Sequence, residues 1–236
     1  MSIATNSAQR TRIKICGLTR EEDVDSAVAA GADAIGFVLY KASPRYVSPL
    51  RAAELSKRLP PFVTPVLLFV NENATNVISA KAINTLAIAQ FHGDETPEQC
   101  NQLGLPYIRA ARIPLGDGAA SFDLVKYAHD YSQAKAILLD AHVEGYGGGG
   151  KTFNWSLLPT NVNAHLVLSG GLNAANVTDG ILQVRPRCKT LAVDVSSGVE
   201  ATDAQGNVIK GVKDARKIHQ FIQAVRAADA QFNQTI

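Results

Sequence analysis

Cysteine is scarce in this chain: Cys16, Cys100 and Cys188 are its three representatives among 236 residues. They are too few and too scattered for a disulfide framework. None stands in a C-x-x-C pair or near a histidine at metal-ligand spacing, so a disulfide-stapled or zinc-held domain is not expected. A reducing, cytoplasmic setting fits this usage. Charge of one sign is also missing. Lys and Arg total 23 against 21 Asp and Glu, for a net charge of +2, and there is no long run of either, which argues against a nucleic-acid partner. No apolar stretch reaches the roughly 18 residues of a membrane span. The opening MSIATNSAQRTR has no apolar block of the secretory kind. It reads as a polar leader over 1–11, ahead of one domain over 12–236.

What is present is a regular alternation. Eight short apolar runs recur at 12–17, 34–40, 63–70, 87–93, 107–113, 136–141, 165–171 and 191–198. Several are nearly continuous in apolar residues, as strands covered on both faces are. Helix-like segments lie between them. EEDVDSAVAAG (21–31) follows Thr19 as a possible N-cap and ends at Gly31, and SPLRAAELSKRL (48–59) has Ser48 as N-cap and Pro49 at the first helical position. The pattern continues at 73–84, 96–104, 121–130 and 173–184, and closes with an amphipathic helix over 212–232. Segment 154–161 is short and holds Pro159, which makes it the least helix-like crossover. Eight strand–crossover units in about 220 residues describe a single-domain (β/α)8 barrel, with an open doubly wound sheet as the alternative.

Barrels of this kind place their chemistry at the C-terminal ends of the strands, so the residues that finish each run are the candidates. Cys16 ends the first run; a thiol there is either a base or nucleophile, or a small buried hydrophobe. Arg45 stands just past the second run, placed for a carboxylate or phosphate or else solvated. His92 ends the fourth run and is as readily structural. Arg109 and Arg112 lie on the fifth, their facing open. Asp140 closes ILLDA with a hydrophobic floor beneath it, which suits either an acid working near neutral pH or a loop-capping carboxylate. Glycines follow the last two runs in LSGG and VSSG. Gly170 and Gly171 on one side, and Ser196, Ser197 and Gly198 on the other, form the pair of loops that commonly bind phosphate in barrels. Asp194 shares a face with Ser196 by strand alternation.

One string points elsewhere. GYGGGGKT (145–152) satisfies the nucleotide-binding pattern G-x-x-x-x-G-K-[ST]. That loop needs a long helix starting at its lysine, whereas TFNWSLLP follows here, aromatic and broken by proline. A loop over the barrel mouth, bringing Lys151 or backbone amides toward substrate, is the better reading.

Taken together, KICGLT (14–19), GFVLYKASPRYV (36–47), QFHGDE (90–95), ILLD (137–140), GYGGGGKTFNW (145–155), LSGGL (168–172) and VDVSSGVE (193–200) resemble the phosphoribosylanthranilate isomerase family, over nearly everything from Arg12 to the last helix. The resemblance implies an Amadori rearrangement in tryptophan biosynthesis: N-(5-phosphoribosyl)anthranilate becomes 1-(2-carboxyphenylamino)-1-deoxyribulose 5-phosphate without metal or cofactor. It implies Cys16 as general base and Asp140 as general acid. Arg45 would face the anthranilate carboxylate, His92 and Asp194 would line the pocket, and Gly170, Gly171, Ser196, Ser197 and Gly198 would hold the phosphate. The expected partner is this small phosphorylated molecule, neither nucleic acid nor membrane, and a monomer is expected in preference to a homodimer. Two departures from the family's usual pattern, Gly149 for Thr and Asn154 for Asp, touch neither acid nor base. The rivals are a histidine-pathway isomerase, in which a carboxylate base would be expected on the first strand, and a catalytically silent phosphate-binding barrel.

Overall fold

The computed structural model describes residues 10–116, 122–141 and 152–234. Eight parallel strands close on themselves in sequence order: β1 (Arg12–Cys16), β2 (Ala34–Val38), β3 (Thr64–Phe69), β4 (Ile88–Phe91), β5 (Tyr107–Ile113), β6 (Ala136–Ala141), β7 (His165–Leu168) and β8 (Thr190–Val195). Pairing of β1 with β8, Lys14 beside Asp194, completes the ring and rules out the open doubly wound sheet. The crossovers are α1 (Glu21–Ala30), α2 (Pro49–Ser56), α3 (Ala74–Ile83), α4 (Pro97–Asn101), α5 (Leu124–Asp130), a 3₁₀ turn at Trp155–Leu157 and α6 (Val177–Val184), and α7 (Ala215–Gln234) closes the chain.

Local chemistry sets most boundaries. Ser48 accepts from the Arg51 amide at the start of α2, where Pro49 stands in the first turn. Thr96 and Gln99 form a reciprocal capping box on α4. Gly31 ends α1 in the left-handed region, φ 98°. Thr19 does not cap α1 as expected. The N-cap position is Arg20, without a side-chain bond, and the Thr19 hydroxyl donates instead to the Gly211 carbonyl at 2.8 Å.

That carbonyl belongs to the one element the sequence pattern concealed. Between β8 and α7 the chain forms an antiparallel hairpin, β9 (Glu200–Thr202) with β10 (Val208–Lys213). The last helix therefore begins at 215, because 212–213 are spent in β10. Of the polar leader, residues 1–9 lie outside the described ones. Thr11 is buried, its amide and hydroxyl bonded to Asp229 on α7.

Strand alternation sorts the side chains into two sets. One set packs outward against the helices in a single large apolar core. The other points into the barrel, where Ala110, Leu138 and Val167 fill the middle. Paired residues of parallel strands share a face, so register carries this inward set around the ring: Lys14 with Asp194, Cys16 with Gly36, Leu68 with Gln90, Arg112 with Asp140. Buried polar members of the inward set such as Gln90, Asp140 and Asp194 lie toward the C-terminal ends.

Candidate active site

The barrel mouth holds a cavity of about 270 Å³. Cys16, Arg45, His92, Asp140, Gly170, Gly171, Asp194, Ser196 and Ser197 all line it. Of the ten residues given a catalytic, substrate or phosphate role in the sequence analysis, Gly198 alone is not on its wall. It is a spacer, since a Cβ there would lie 1.9 Å from the Leu172 carbonyl oxygen. Only glycine lets the loop after β8 lie against the loop after β7. Gly170 and Gly171 take positive φ, 79° and 64°, and a Cβ at Gly170 would sit 2.8 Å from Asp140 Oδ1. The glycines thus bring the two loops and the acid together.

Asp140 ends an inward position of β6, as its apolar run foretold. Its Oδ1 accepts from the Ala141 amide at 3.0 Å. Its Oδ2 lies 2.9 Å from His92 Nε2, and Gln90 Nε2 lies 3.0 Å from His92 Nδ1. In this amide orientation Gln90 donates to Nδ1, so the ring proton sits on Nε2 and is donated to Asp140 Oδ2. Gln90 Oε1 is buried with no hydrogen-bond partner among the described residues. Gln90 was missed from the sequence. The signal was its spacing, two residues before His92 on the same strand face.

Across the mouth, Cys16 is buried at the end of β1. Burial pushes its thiol up, and the neighbouring Lys14 ammonium pulls in the other direction without cancelling it. Lys14 is itself buried, which opposes its charge, but the Asp194 carboxylate and the Cys16 sulfur outweigh burial and hold it above the ordinary lysine range. Lys14 Nζ donates to Asp194 Oδ1 at 2.9 Å.

A second network joins the hairpin to the mouth. Glu200 on β9 takes Arg45 in a two-point pair, Nε at 2.7 Å and Nη2 at 2.8 Å. Glu200 Oε1 also accepts from the Gly211 amide at 2.8 Å and from Lys213 Nζ at 3.3 Å. Lys213 donates further to the Ser196 carbonyl at 2.9 Å. Burial pushes the Glu200 carboxyl up, yet the Arg45 hydrogen bond, the Lys213 charge and the Gly211 amide more than reverse it and leave it below the usual range. Lys213 is held low by burial, with Glu200 acting against it. Arg45 is therefore not a solvated arginine; Glu200 fixes its Nε and Nη2 and leaves Nη1 outside that pair. Glu200 and Lys213 were not singled out from the sequence, because their partners stand far from them in the chain.

The two arginines of β5 part company. Arg109 faces away from the mouth and pairs with Glu95 at 2.9 Å beneath the β4 loop. Arg112 has the inward register, beside Asp140. No group of three or more His, Cys, Asp or Glu side chains is disposed to hold a metal ion among the described residues. The glycine-rich string and Lys151, at 145–151, lie outside them. Asn154 is described, and its Oδ1 accepts from the Ser156 amide as the cap of the 3₁₀ turn.

A closed parallel barrel with eight buried ionisable side chains, Lys14, Cys16, Arg45, His92, Asp140, Asp194, Glu200 and Lys213, gathered at and just beneath its C-terminal mouth belongs to the (β/α)8 enzymes, in which strand ends carry the chemistry and the last two loops receive an anionic group. Known proteins narrow the class. Residues 13–224 match the model of the family described as N-(5'-phosphoribosyl)anthranilate isomerase. A relative of that name from Leptothrix cholodnii is 60% identical, the match covering 95% of each chain. The crystal structure of the phosphoribosyl anthranilate isomerase of Thermotoga maritima superposes with a TM-score of 0.77 at 41% identity, over 92% of this chain and 99% of that one. Another such crystal structure, holding reduced 1-(o-carboxyphenylamino)-1-deoxyribulose 5-phosphate, gives 0.74 at 37% identity, with the same coverage. The chain belongs to the phosphoribosylanthranilate isomerase family.

Proposed function

We propose that this barrel mouth converts N-(5-phosphoribosyl)anthranilate to 1-(2-carboxyphenylamino)-1-deoxyribulose 5-phosphate, the isomerisation that serves tryptophan biosynthesis. Asp140 is the general acid and Cys16 the general base. The observation that carries the assignment is that these two side chains, from β6 and β1, line one cavity together with the paired loops after β7 and β8. Protonation of the ribose ring oxygen by Asp140 lets the C1–O bond break as the anilino nitrogen lone pair forms the Schiff base. Cys16 thiolate then takes the C2 proton, and the electron pair moves to give the enolamine. The enol loses its hydroxyl proton as C1 gains one, leaving the ketone. Acid and base act on neighbouring atoms, so they must approach from different sides of the mouth. The ring of strands does this, with β1 and β6 three strands apart one way and five the other.

Gly170, Gly171, Ser196 and Ser197 receive the 5-phosphate, with Gly198 holding their loops in contact. Arg45, already oriented by Glu200, turns Nη1 toward the anthranilate carboxylate. His92 steadies Asp140, and Asp194 lines the floor beneath Cys16. Support comes from the relative whose structure holds a reduced form of the product. The test is decay of anthranilate fluorescence with freshly generated phosphoribosylanthranilate. Decay above background that vanishes in Cys16→Ala and Asp140→Asn is the expected result. Absence of decay with the unaltered chain refutes the function, and full activity in either variant refutes that variant's assigned role.

No helix among the described residues is long and apolar enough to cross a membrane; the reaction's place in amino-acid biosynthesis is what favours a cytoplasmic site of action. A monomer was the reading from sequence, but one feature favours the homodimer. Phe62 is 99% exposed at φ 73°, a conformation costly for a bulky residue. It stands ahead of β3, at the end of the barrel opposite the mouth, over a groove lined by Leu59, Pro60, Ile83 and Leu86. Sedimentation equilibrium decides: a dimer that Phe62→Ser dissociates supports a second copy there, and a monomeric parent chain refutes it.

A further inference from the structure

Beneath Cys16 lies a lysine to which no role has yet been given. Lys14 and Cys16 are two residues apart on β1, so both point into the barrel, Lys14 one layer deeper. Its strand neighbour on one side is Asp194, the paired residue on β8, to which its ammonium donates at 2.9 Å. On the other side is β2, where the residue paired with Cys16 is Gly36. A Cβ on Gly36 would lie 2.7 Å from Cys16 Sγ and 3.0 Å from both Cε and Nζ of Lys14. The sulfur and the ammonium therefore share the space that this glycine leaves open.

Such a pair is poor value as a structural prop. Its side chains are only 5% and 6% exposed, and burying two opposite charges costs desolvation that apolar side chains of similar volume would avoid. Asp194 accounts for one of the ammonium's three N–H groups, and the thiol stands beside the others.

We propose that Lys14 is the positioning residue for Cys16: pinned by Asp194, its ammonium is the counter-ion of the thiolate that takes the substrate proton. The proposal rests on Cys16 being the base. Asp194 plays two opposed parts, since it fixes the cation but its own charge disfavours a thiolate nearby. Other ionisable groups face this sulfur from each neighbouring element. From β10 there is Lys213, whose ammonium is committed to the Ser196 carbonyl and Glu200. From the loop after β2 there is Arg45, committed to Glu200. Across the cavity stand His92, just past β4, and Asp140 of β6, held by each other. The inward positions of β2 and β3 near the mouth, Gly36, Val38, Val66 and Leu68, carry no charge. Lys14 is the cation adjacent to the thiol whose bonding geometry leaves a donor for it.

The experiment reads the thiol without turnover. The substrate-free protein is treated with iodoacetamide across pH 7 to 11, and labelling at Cys16 is followed by peptide mass spectrometry, which separates it from Cys100 and Cys188. In Lys14→Gln, labelling below the midpoint should slow about tenfold or more, the midpoint rising by about one unit. Lys14→Arg should recover most of the rate. Asp194→Asn should move the midpoint the other way. An unchanged midpoint in Lys14→Gln, or a shift in the same direction in Lys14→Gln and Asp194→Asn, overturns the proposal. Should circular dichroism show Lys14→Gln unfolded, Asp194→Asn decides: a lowered midpoint supports the proposal and an unchanged or raised one refutes it. Turnover of Cys16→Ala separates the two layers. Full activity there removes the base itself, whereas an inactive Cys16→Ala beside unshifted labelling in Lys14→Gln removes Lys14 alone.

Discussion

Glu200→Gln isolates the network that orients Arg45. In the native chain Glu200 is 1% exposed and its two oxygens divide the work. Oε1 accepts from Arg45 Nε, the Gly211 amide and Lys213 Nζ, and Oε2 accepts from Arg45 Nη2. Glutamine keeps the shape and one oxygen. If that oxygen takes the place of Oε1, its amide nitrogen faces Nη2, donor against donor, and two buried cations lose their shared anion. Breaking a buried pair by removing one partner costs about 3–5 kcal/mol. At roughly 2–4 °C per kcal/mol for a domain of this size, the melting temperature should fall by about 10 °C at pH 7. The pH dependence carries a second signature. The folded-state value of Glu200 lies below its ordinary 4.5, so its stabilisation is fully present above that pH and is lost as pH falls through the folded-state value. The gap between parent and variant in differential scanning calorimetry should therefore narrow in acid. A drop of less than about 3 °C at pH 7, near one kcal/mol on the same scale, refutes the reasoning, as does a gap that stays constant down to pH 3.

Gly198→Ala should separate the two phosphate loops, because the added carbon meets backbone, not a movable side chain. Inorganic phosphate that raises the melting temperature of the parent chain should do so much less in this variant, and equal stabilisation counts against the two-loop site. Gly36→Ala should press on Cys16 Sγ and Lys14, costing about 1–3 kcal/mol as overpacking does and lowering turnover more than phosphate affinity; unchanged turnover by the fluorescence assay argues that the thiol is not held against this wall.

Much of this protein is legible in one dimension. Apolar runs with helical spacers are local patterns, and β5 and β6 fall on the very residues the runs marked, 107–113 and 136–141. Caps such as Ser48 and the turn at Gly31 act within a few residues, so they too can be read directly. Cys16, Arg45, His92, Asp140, Asp194 and the two glycine–serine loops could be nominated because barrel strands deliver their ends to one face. The hairpin between β8 and α7 was not legible, since β9 has three residues and β10, interrupted by Gly211, has its first three residues exposed and gives no buried apolar run. What tertiary structure alone decided is who touches whom. Register around a closed ring sets Lys14 beside Asp194, 180 residues away in the chain. The hairpin carries Glu200 to Arg45 across 155 residues. The His92–Asp140 bond spans two strands that are not neighbours. A sequence determines alternation and caps because these depend on the nearest residues; it leaves pairings of buried charges open because these depend on strand order, shear and the space a distant glycine vacates.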